Sequence, residues 1–354
     1  MTATVTVIGG GYAGITVAKA LDDVADVTLV EPRDTFVHNV AALRAVTDPV
    51  WVERLFIPYE GLLTRGRIRH DRAARMFGSA VELGSGDRVT SDFVVLATGS
   101  RHTYPAKLDV DDSVDARAKL WATHEALSRA PRVLLLGAGP VGLEFAGEIK
   151  AAWPDKHVTV VDPATELLPG EFPAEFRAEL HAQLAALGVE LLLGTSLNEP
   201  PPTAPGHAAP FTATTRAGAE LSADIWFACY GATPNTGYLV PGRRLDVTPE
   251  LRLPGSDTIF AIGDITSVPE MKMARLAQRH AEVAAANIRA LIEGQTNLTA
   301  YEPAQDAIVL PLGPRGGVSY APEAGVLGAE ATVGIKGELF LDTYLDLLGA
   351  EAAR

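Results

Sequence analysis

The 354-residue sequence contains a single cysteine, Cys229. One thiol excludes a disulfide framework, an internal redox dithiol and a cysteine-based zinc site. The histidines and acids also lack metal-ligand spacing, so we expect no metal. No apolar run approaches the roughly 18–20 residues that a membrane-spanning helix needs. The longest apolar stretches, such as Phe93–Thr98, have the length of strands.

Basic residues are outnumbered, with 30 Lys and Arg against 44 Asp and Glu and a formal net charge of −14. A field of this sign repels nucleic acid and anionic lipid, which excludes both as bulk partners. The chain begins MTATVTVIGG, without a basic leader or a cleavage site. We therefore expect a soluble, cytoplasmic protein without an integral membrane segment. Peripheral membrane contact and a homodimer stay open.

A strand, a glycine turn, a helix and a second strand open the chain. Thr4–Ile8 is β-branched, Gly9–Gly14 has the spacing GxGxxG, Ile15–Leu21 has a helical pattern, and Val27–Val30 ends at Glu31. Such glycines let the backbone approach a pyrophosphate at a helix N-terminus, and the acid accepts ribose hydroxyls. The pattern predicts a dinucleotide site.

The same pattern recurs about 130 residues later. The strand Arg132–Leu136 precedes the turn Gly137–Gly142 and the helix Leu143–Ala152, and the next strand ends at Asp162. A carboxylate there repels a 2′-phosphate, and no arginine follows it, so NADH is favoured over NADPH. Two units at this separation predict two nucleotide-binding domains rather than a repeat array.

Two short signals suggest further crossings of one large dinucleotide. Phe93–Ser100 and Thr258–Asp264 are strands that end in Ala-Thr-Gly and Gly-Asp. Asp264 is well placed to accept hydroxyls of a ribityl chain. Met271–Ala274 opens a long helix whose N-terminus would stabilise negative charge on a reduced flavin ring.

Three longer segments carry a family resemblance: Phe36–Ala45 (FVHNVAALRA), Gly142–Lys150 (GLEFAGEIK) and Ile262–Ile288. With the two glycine turns, the chain resembles the pyridine nucleotide–disulfide oxidoreductase superfamily. Within it, the chain is most similar to apoptosis-inducing-factor-like proteins of the ferroptosis-suppressor type, which are NAD(P)H–quinone reductases.

The resemblance implies a set of cofactor-binding residues. Those implied for FAD are Gly9, Gly10, Gly11, Tyr12, Ala13, Gly14, Glu31, Arg44, Arg72, Ala73, Ala97, Thr98, Gly99, Asp264 and Lys272. Those implied for NADH are Gly137, Gly139, Gly142, Asp162 and Gly231. Two residues are implied to be catalytic: Glu144, beside the nicotinamide and flavin N5, and Lys272, near the pyrimidine edge of the flavin.

The expected fold is α/β, with two Rossmann-like domains, the second inserted into the first. The FAD domain is predicted at 1–103 and 236–300, and the NADH domain at 104–235. A small C-terminal α+β segment is predicted at 301–354. Its strand-like runs are Ala307–Leu310, Gly317–Tyr320 and Leu339–Leu341.

The expected function is transfer of a hydride from NADH to flavin and then of two electrons to a quinone-type acceptor. Disulfide members of the superfamily carry a cysteine pair after the first glycine turn, and this chain has none, so the electrons must leave for an outside acceptor. Three alternatives stay open: an NADH oxidase that forms H2O2, a reductase of a redox-protein partner, and, from another class, an NADH-binding redox sensor.

Several single residues have competing interpretations. His38 and Asn39 lie either near the isoalloxazine or at a helix cap. His280 is expected to be buried and hydrogen-bonded rather than catalytic, and His70 and His102 are expected at the surface.

Overall fold

The computed structural model describes residues 2–351. The first hundred residues form a parallel sheet with an antiparallel attachment. Their strands and helices are β1 (Ala3–Ile8), α1 (Tyr12–Leu21), β2 (Ala25–Val30), β3 (Thr35–Val37), α2 (Ala42–Thr47), α3 (Val50–Arg54), β4 (Phe56–Pro58), β5 (Arg67–Arg69), β6 (Ala73–Phe77), β7 (Ala80–Leu83), β8 (Arg88–Thr90), β9 (Phe93–Leu96) and β10 (Ser100–Arg101).

The middle of the chain builds the second parallel sheet. Its strands and helices are α4 (Ser113–Arg129), β11 (Arg132–Leu136), α5 (Pro140–Ala152), β12 (His157–Asp162), α6 (Ala174–Ala186), β13 (Val189–Leu193), β14 (Phe211–Thr214), β15 (Glu220–Ala223), β16 (Ile225–Ala228) and β17 (Thr233–Pro234).

The remainder completes the first sheet and adds the C-terminal segment. Its strands and helices are β18 (Ile259–Ala261), α7 (Ala274–Ile292), β19 (Ile308–Pro311), β20 (Gly317–Ala321), β21 (Gly325–Leu327), α8 (Ala329–Lys336) and α9 (Leu341–Leu348). Two short 3-10 turns lie at Asn39–Ala41 and Gly263–Ile265.

The first sheet has the strand order β18-β9-β1-β2-β5, and all of its pairs are parallel. Its central strand β1 buries Val5 and Val7 completely, as expected for a sheet that is covered on both faces. Helix α1 packs on α7. The sheet edge formed by the carboxyl ends of β1, β9 and β18 therefore brings together the first glycine turn, Ala97 and Gly263.

The second sheet has the order β13-β12-β11-β16, again with parallel pairs. Because β18 returns to the first sheet after this second sheet is complete, the second nucleotide-binding unit is inserted into the first. The α/β fold class and the insertion are thus confirmed. The exact domain boundaries stay a prediction.

The C-terminal segment contains the antiparallel sheet β19-β20-β21 and the helices α8 and α9. The predicted strand at Leu339–Leu341 is wrong, because Leu339 and Phe340 form a turn that leads into α9. Helix α9 buries Leu341, Tyr344, Leu345 and Leu348. That spacing is the period of one helix face, and it outweighs the short apolar run that indicated a strand.

Candidate functional site

The two glycine turns have nearly the same geometry. A Cβ atom on Gly14 would lie 1.8 Å from the carbonyl oxygen of Gly9, and one on Gly142 would lie 1.9 Å from that of Gly137. Only glycine permits such an approach of the helix to the preceding turn. The third glycine of each motif therefore sets how closely α1 and α5 pack on their sheets.

The middle glycine of each motif is open. A Cβ atom on Gly11 or Gly139 would meet no atom within 4 Å. These residues are also the N-caps of α1 and α5, and neither helix start receives a side-chain cap. Two uncapped helix N-termini that face open space fit the pyrophosphates of FAD and of a nicotinamide nucleotide.

The acid after each second strand is held against its own glycine turn. Glu31 accepts a hydrogen bond from the Gly10 amide at 2.6 Å, and Asp162 accepts one from the Ala138 amide at 2.6 Å. Glu31 is buried, whereas Asp162 is half-buried. Both carboxylates are thus oriented beside the turns, as the hydroxyls of an adenosine ribose require.

Asp264 lies at the end of β18 among donors. Its Oδ2 accepts hydrogen bonds from Ser100 Oγ at 2.6 Å and from Lys107 Nζ at 3.3 Å. Burial alone would raise the pKa of Asp264, but the Lys107 ammonium and the Ser100 hydroxyl hold it below its usual value. The carboxylate therefore stays charged and can accept hydroxyls of a ribityl chain.

Lys272 lies just before α7. Its Nζ donates to the Val268 carbonyl at 2.7 Å, and burial lowers its pKa. The described residues contain no hydrogen bond or ion pair between Lys272 and Glu144. The two predicted catalytic residues thus have separate partners.

His280 is buried and fully hydrogen-bonded, as the sequence indicated. Its Nδ1 accepts from the Gly263 amide at 3.0 Å, so its Nε2 carries the proton and donates to Glu270 at 2.8 Å. Glu270 also accepts a hydrogen bond from the Tyr301 hydroxyl at 2.8 Å. This network fixes the backbone next to Asp264.

Helix α5 presents two carboxylates one turn apart, and each has a basic partner. Glu144 pairs with Lys336 Nζ at 2.9 Å. Glu148 pairs with Arg44, whose Nη2 lies 2.9 Å away, and both side chains of this second pair are buried. Burial raises the pKa of Glu148, although the Arg44 guanidinium opposes that change. Arg44, which belongs to α2, therefore contacts α5, and its Nη1 also donates to the Gly337 carbonyl of the C-terminal segment at 2.6 Å.

A cavity of about 850 Å³ opens beside this pair. Arg44 and Glu148 line it together with helices α2 to α5 and the C-terminal segment. Its aromatic lining comes from Trp51, Trp153 and Phe340. Its volume lies within the range of ordinary small-molecule sites.

A cluster of aromatic rings joins the first glycine turn to the C-terminal segment. The ring centroid of Tyr12 lies 4.9 Å from that of Tyr344, and the His38 ring lies 5.0 Å from Tyr344. His38 is buried and precedes the 3-10 turn at Asn39–Ala41, but neither His38 nor Asn39 caps that turn with its side chain. His38 is thus at the N-cap position and Asn39 begins the turn, but neither supplies a capping hydrogen bond.

The other predicted site residues are dispersed. Ala97 is buried below the first glycine turn, Thr98 and Gly99 bond to Asn235, and Ala73 begins the outlying strand β6. Ala13 is buried in α1, and Arg72 is exposed. Gly231 lies in an exposed loop between β16 and β17, with φ of +95°.

Three further histidine and cysteine predictions have clear outcomes. Cys229 is buried below the second glycine turn, and burial raises its pKa to about 12, so it is a core residue. His70 is exposed, as expected. The surface assignment of His102 is wrong, because it is half-buried, and burial lowers its pKa.

Sequence reasoning missed the basic and acidic residues that complete the site. These residues are Lys107, Glu148, Glu270 and the role of Lys336 as the partner of Glu144. One signal was available for Glu148: it lies four residues after Glu144, on the same face of a helix.

Within residues 2–351, no group of His, Cys, Asp and Glu side chains could hold a metal ion. No helix in the same range is both long and apolar enough to cross a membrane.

Comparisons with known proteins agree with this geometry. Residues 3–284 match the family described as pyridine nucleotide-disulphide oxidoreductase. The chain is 29% identical over 372 residues to apoptosis-inducing factor homolog B of Dictyostelium discoideum, and the match covers 97% of this chain and 96% of that protein. It is 30% identical to ferroptosis suppressor protein 1 of Homo sapiens, covering 89% of this chain and 87% of the relative.

Solved structures show the same fold. The sulfide:quinone oxidoreductase of Aquifex aeolicus superposes with a TM-score of 0.78 at 16% identity, covering 98% of this chain and 91% of that one. The NDH2 of Plasmodium falciparum in complex with NADH gives 0.75 at 12% identity, covering 98% and 95%. With both glycine turns in place, the chain belongs to the pyridine nucleotide-disulphide oxidoreductase family and is an FAD-dependent NAD(P)H oxidoreductase of the apoptosis-inducing-factor-like type.

Proposed function

We propose that the protein transfers a hydride from NADH to FAD and then passes two electrons to a quinone-type acceptor. When bound, FAD supplies the redox chemistry: it accepts the hydride and donates the electrons. The protein aligns the reactants and sets the charge around them. Its only cysteine is buried and has no partner thiol, so the electrons must leave for an outside molecule.

The cavity beside Arg44 and Glu148 carries this proposal. An aromatic, half-polar chamber of about 850 Å³ suits a flat acceptor ring. Glu148 lines it and lies one helical turn from Glu144, the residue proposed to lie beside the nicotinamide. Ile335 and Phe340, at the rim, are 43% and 41% exposed, which provides an apolar entrance.

Two side chains have proposed roles in the hydride step. Glu144, held by Lys336, orients the nicotinamide. Lys272 and the N-terminus of α7 stabilise negative charge at the pyrimidine edge of the flavin. Except for Arg44, the predicted binding residues for both nucleotides keep their proposed roles.

NADH is the proposed nucleotide because Asp162 would face a 2′-phosphate. Repulsion at about 4 Å near a protein surface amounts to a few kcal/mol, so kcat/KM for NADH should exceed that for NADPH by roughly 10-fold or more. Equal values for the two nucleotides would remove this assignment.

The cytoplasmic location, the domain boundaries, the homodimer and peripheral membrane contact stay predictions.

Separate measurement of the two half-reactions tests the proposal. Glu144→Ala should slow flavin reduction by NADH by up to ~100-fold, because hydride transfer is that sensitive to ~1 Å of misplacement. Reoxidation of chemically reduced enzyme by a soluble quinone should keep nearly its original rate in this variant.

A bulky residue in the cavity tests the other half-reaction. Ala152 lines the cavity, so Ala152→Trp should slow reoxidation by quinone at least ~10-fold and leave reduction by NADH intact. Ala122→Trp is the matched control, because Ala122 is exposed on α4 and is not among the residues that line the cavity. If Ala152→Trp reoxidises as fast as this control, the cavity is not the acceptor site.

A further inference from the structure

The turn that follows Lys336 is strained. Leu339 and Phe340 are consecutive non-glycine residues with φ of +54° and +61°. Side chains rarely adopt this backbone region, and such residues persist only where the surroundings hold them. Strain of this kind is concentrated at functional sites and must be held by contacts around the turn 337–341.

Arg44 holds the start of the turn. Its Nη1 donates to the Gly337 carbonyl at 2.6 Å, while its Nε and Nη2 donate to Glu148 Oε1 at 3.0 and 2.9 Å. Arg44 is 5% exposed and Glu148 is 6% exposed. The buried ion pair thus ties helices α2 and α5 to the residue next to Lys336.

His38 holds the middle of the turn. Its Nε2 lies 2.9 Å from the Leu339 carbonyl and must carry the proton, because that oxygen only accepts. Its Nδ1 then accepts from the Tyr12 hydroxyl at 3.2 Å. The Tyr12 oxygen accepts in turn from the Val40 amide at 2.9 Å. The first glycine turn is thereby linked to the C-terminal segment.

Lys336 is the last residue of α8 and directly precedes the turn. The Lys336 ammonium donates to Glu144 Oε1 at 2.9 Å and to the Val309 carbonyl at 3.2 Å. A lysine side chain is long and flexible, so the position of its backbone decides whether these contacts form. Glu144 and Glu148 lie one turn apart on α5. Lys336 pairs with the first and Arg44 with the second.

We propose that Arg44 and His38 are positioning residues that hold the turn 337–341 and so keep the Lys336 ammonium on Glu144. The inference rests on the proposed function, in which Glu144 orients the nicotinamide. It gives Arg44 a role through Lys336 instead of the direct FAD contact that the family resemblance implied.

A double-mutant cycle tests this coupling. Arg44→Met should slow single-turnover flavin reduction by NADH at least ~10-fold, with a much smaller change in the Kd for NADH. In a Lys336→Met background the same substitution should change the rate less than ~2-fold, because the residue it acts through is gone. Arg67→Met, which removes an exposed pair with Asp26, is the control and should change neither rate.

The histidine offers a conservative rescue. His38→Leu removes the donor to Leu339 and should slow flavin reduction, whereas His38→Gln retains a donor at the end of its side chain and should restore most of the rate.

A second readout needs no cofactor. The amides of Leu339 and Leu341 donate within the turn, to the carbonyls of Lys336 and Glu338. In FAD-free protein, Arg44→Met should accelerate hydrogen exchange at these amides at least ~10-fold over wild type. Unchanged exchange with loss of FAD would show that Arg44 is a cofactor contact and would overturn the proposal.

Other outcomes also decide. Equal slowing by Arg44→Met in both backgrounds, or no slowing by Lys336→Met itself, would overturn the proposal. If Arg44→Met does not accumulate as folded protein, Glu148→Gln replaces it, since it weakens the hold on Arg44 without removing the guanidinium. Every readout concerns the NADH half-reaction or the turn, so failure of a quinone to reoxidise the enzyme would reject the proposed function alone.

Discussion

The two glycine turns have nearly the same backbone geometry but differ in the residues that surround them. Beyond the first turn, Tyr12 contacts His38 and Tyr344, so the C-terminal segment covers it. Beyond the second, α5 begins with Pro140, and the acid Asp162 is only half-buried. An enclosed site suits a cofactor that stays bound, and an open one suits a nucleotide that must exchange at every turnover.

The two turns themselves are built from residues close together in sequence, whereas the covering of the first turn comes from distant residues. Each turn is built within about 30 residues, Ala3–Glu31 and Arg132–Asp162, from a strand, three glycines and an acid. The covering of the first turn comes from residues about 300 positions away, such as Leu339 on His38.

Substitution of the third glycine of each motif should have the largest effect and should show most directly which nucleotide each turn binds. Gly142→Ala forces α5 away from its turn and should raise the Kd for NADH by roughly 10–100-fold while the protein remains yellow. Gly14→Ala should instead yield protein depleted of FAD. Absorbance spectra and NADH titration of both variants check this. Loss of FAD from Gly142→Ala would contradict the division of roles.

Asp264→Ala should weaken only the first site. Losing a charged acceptor of a ribityl hydroxyl costs ~1.5–3 kcal/mol, or roughly 10–150-fold in FAD affinity. Flavin content after dialysis, together with an FAD titration of the apoprotein, measures the change. If the variant retains FAD as wild type does, the role assigned to the Gly-Asp motif is wrong.

Acid should destabilise the covering of the first turn through His38, whose pKa is lowered by burial to about 4. Between pH 6.5 and 4 the unfolded chain binds a proton that the folded chain does not. The stability contribution is therefore complete above pH 6.5 and is lost as the pH falls towards 4, by ~1.4 kcal/mol per pH unit at most.

Denaturant unfolding of wild type and His38→Gln across this range isolates that contribution. The difference in unfolding free energy between the two proteins should change with pH by up to ~3 kcal/mol. Parallel pH profiles would mean that His38 does not carry the proton-linked stability.

Cys229→Ser should have the smallest effect. Cys229 packs below the second glycine turn where Ala97 packs below the first, and it has no partner thiol. Turnover should stay within ~2-fold, and stability should fall by ~1–3 kcal/mol because a hydroxyl replaces a buried thiol. Thermal unfolding and steady-state rates check both values. A collapse of turnover with FAD and fold intact would make the thiol part of the chemistry.

The parts of the molecule that could be predicted are those built from residues close together in sequence. The strands, turns and helices around Gly9–Gly14 and Gly137–Gly142 were predicted because their periodicity and their glycines lie close together in sequence. The Arg44–Glu148 and Glu144–Lys336 pairs span 104 and 192 residues, and no spacing rule connects them. The strand expected at Leu339–Leu341 was wrong because this segment forms a turn, and the turn bonds to His38 and Arg44, which are distant in sequence.

Reoxidation of the NADH-reduced wild-type enzyme tests the central claim most directly. The enzyme is reduced anaerobically with one equivalent of NADH and mixed in a stopped-flow instrument with a soluble quinone, with ferricyanide or with oxygen. The proposed function predicts reoxidation by the quinone in one two-electron phase, faster than by oxygen at equal concentration. Rapid reduction by NADH followed by reoxidation no faster with any quinone than with oxygen would contradict it and favour an oxidase or a redox sensor.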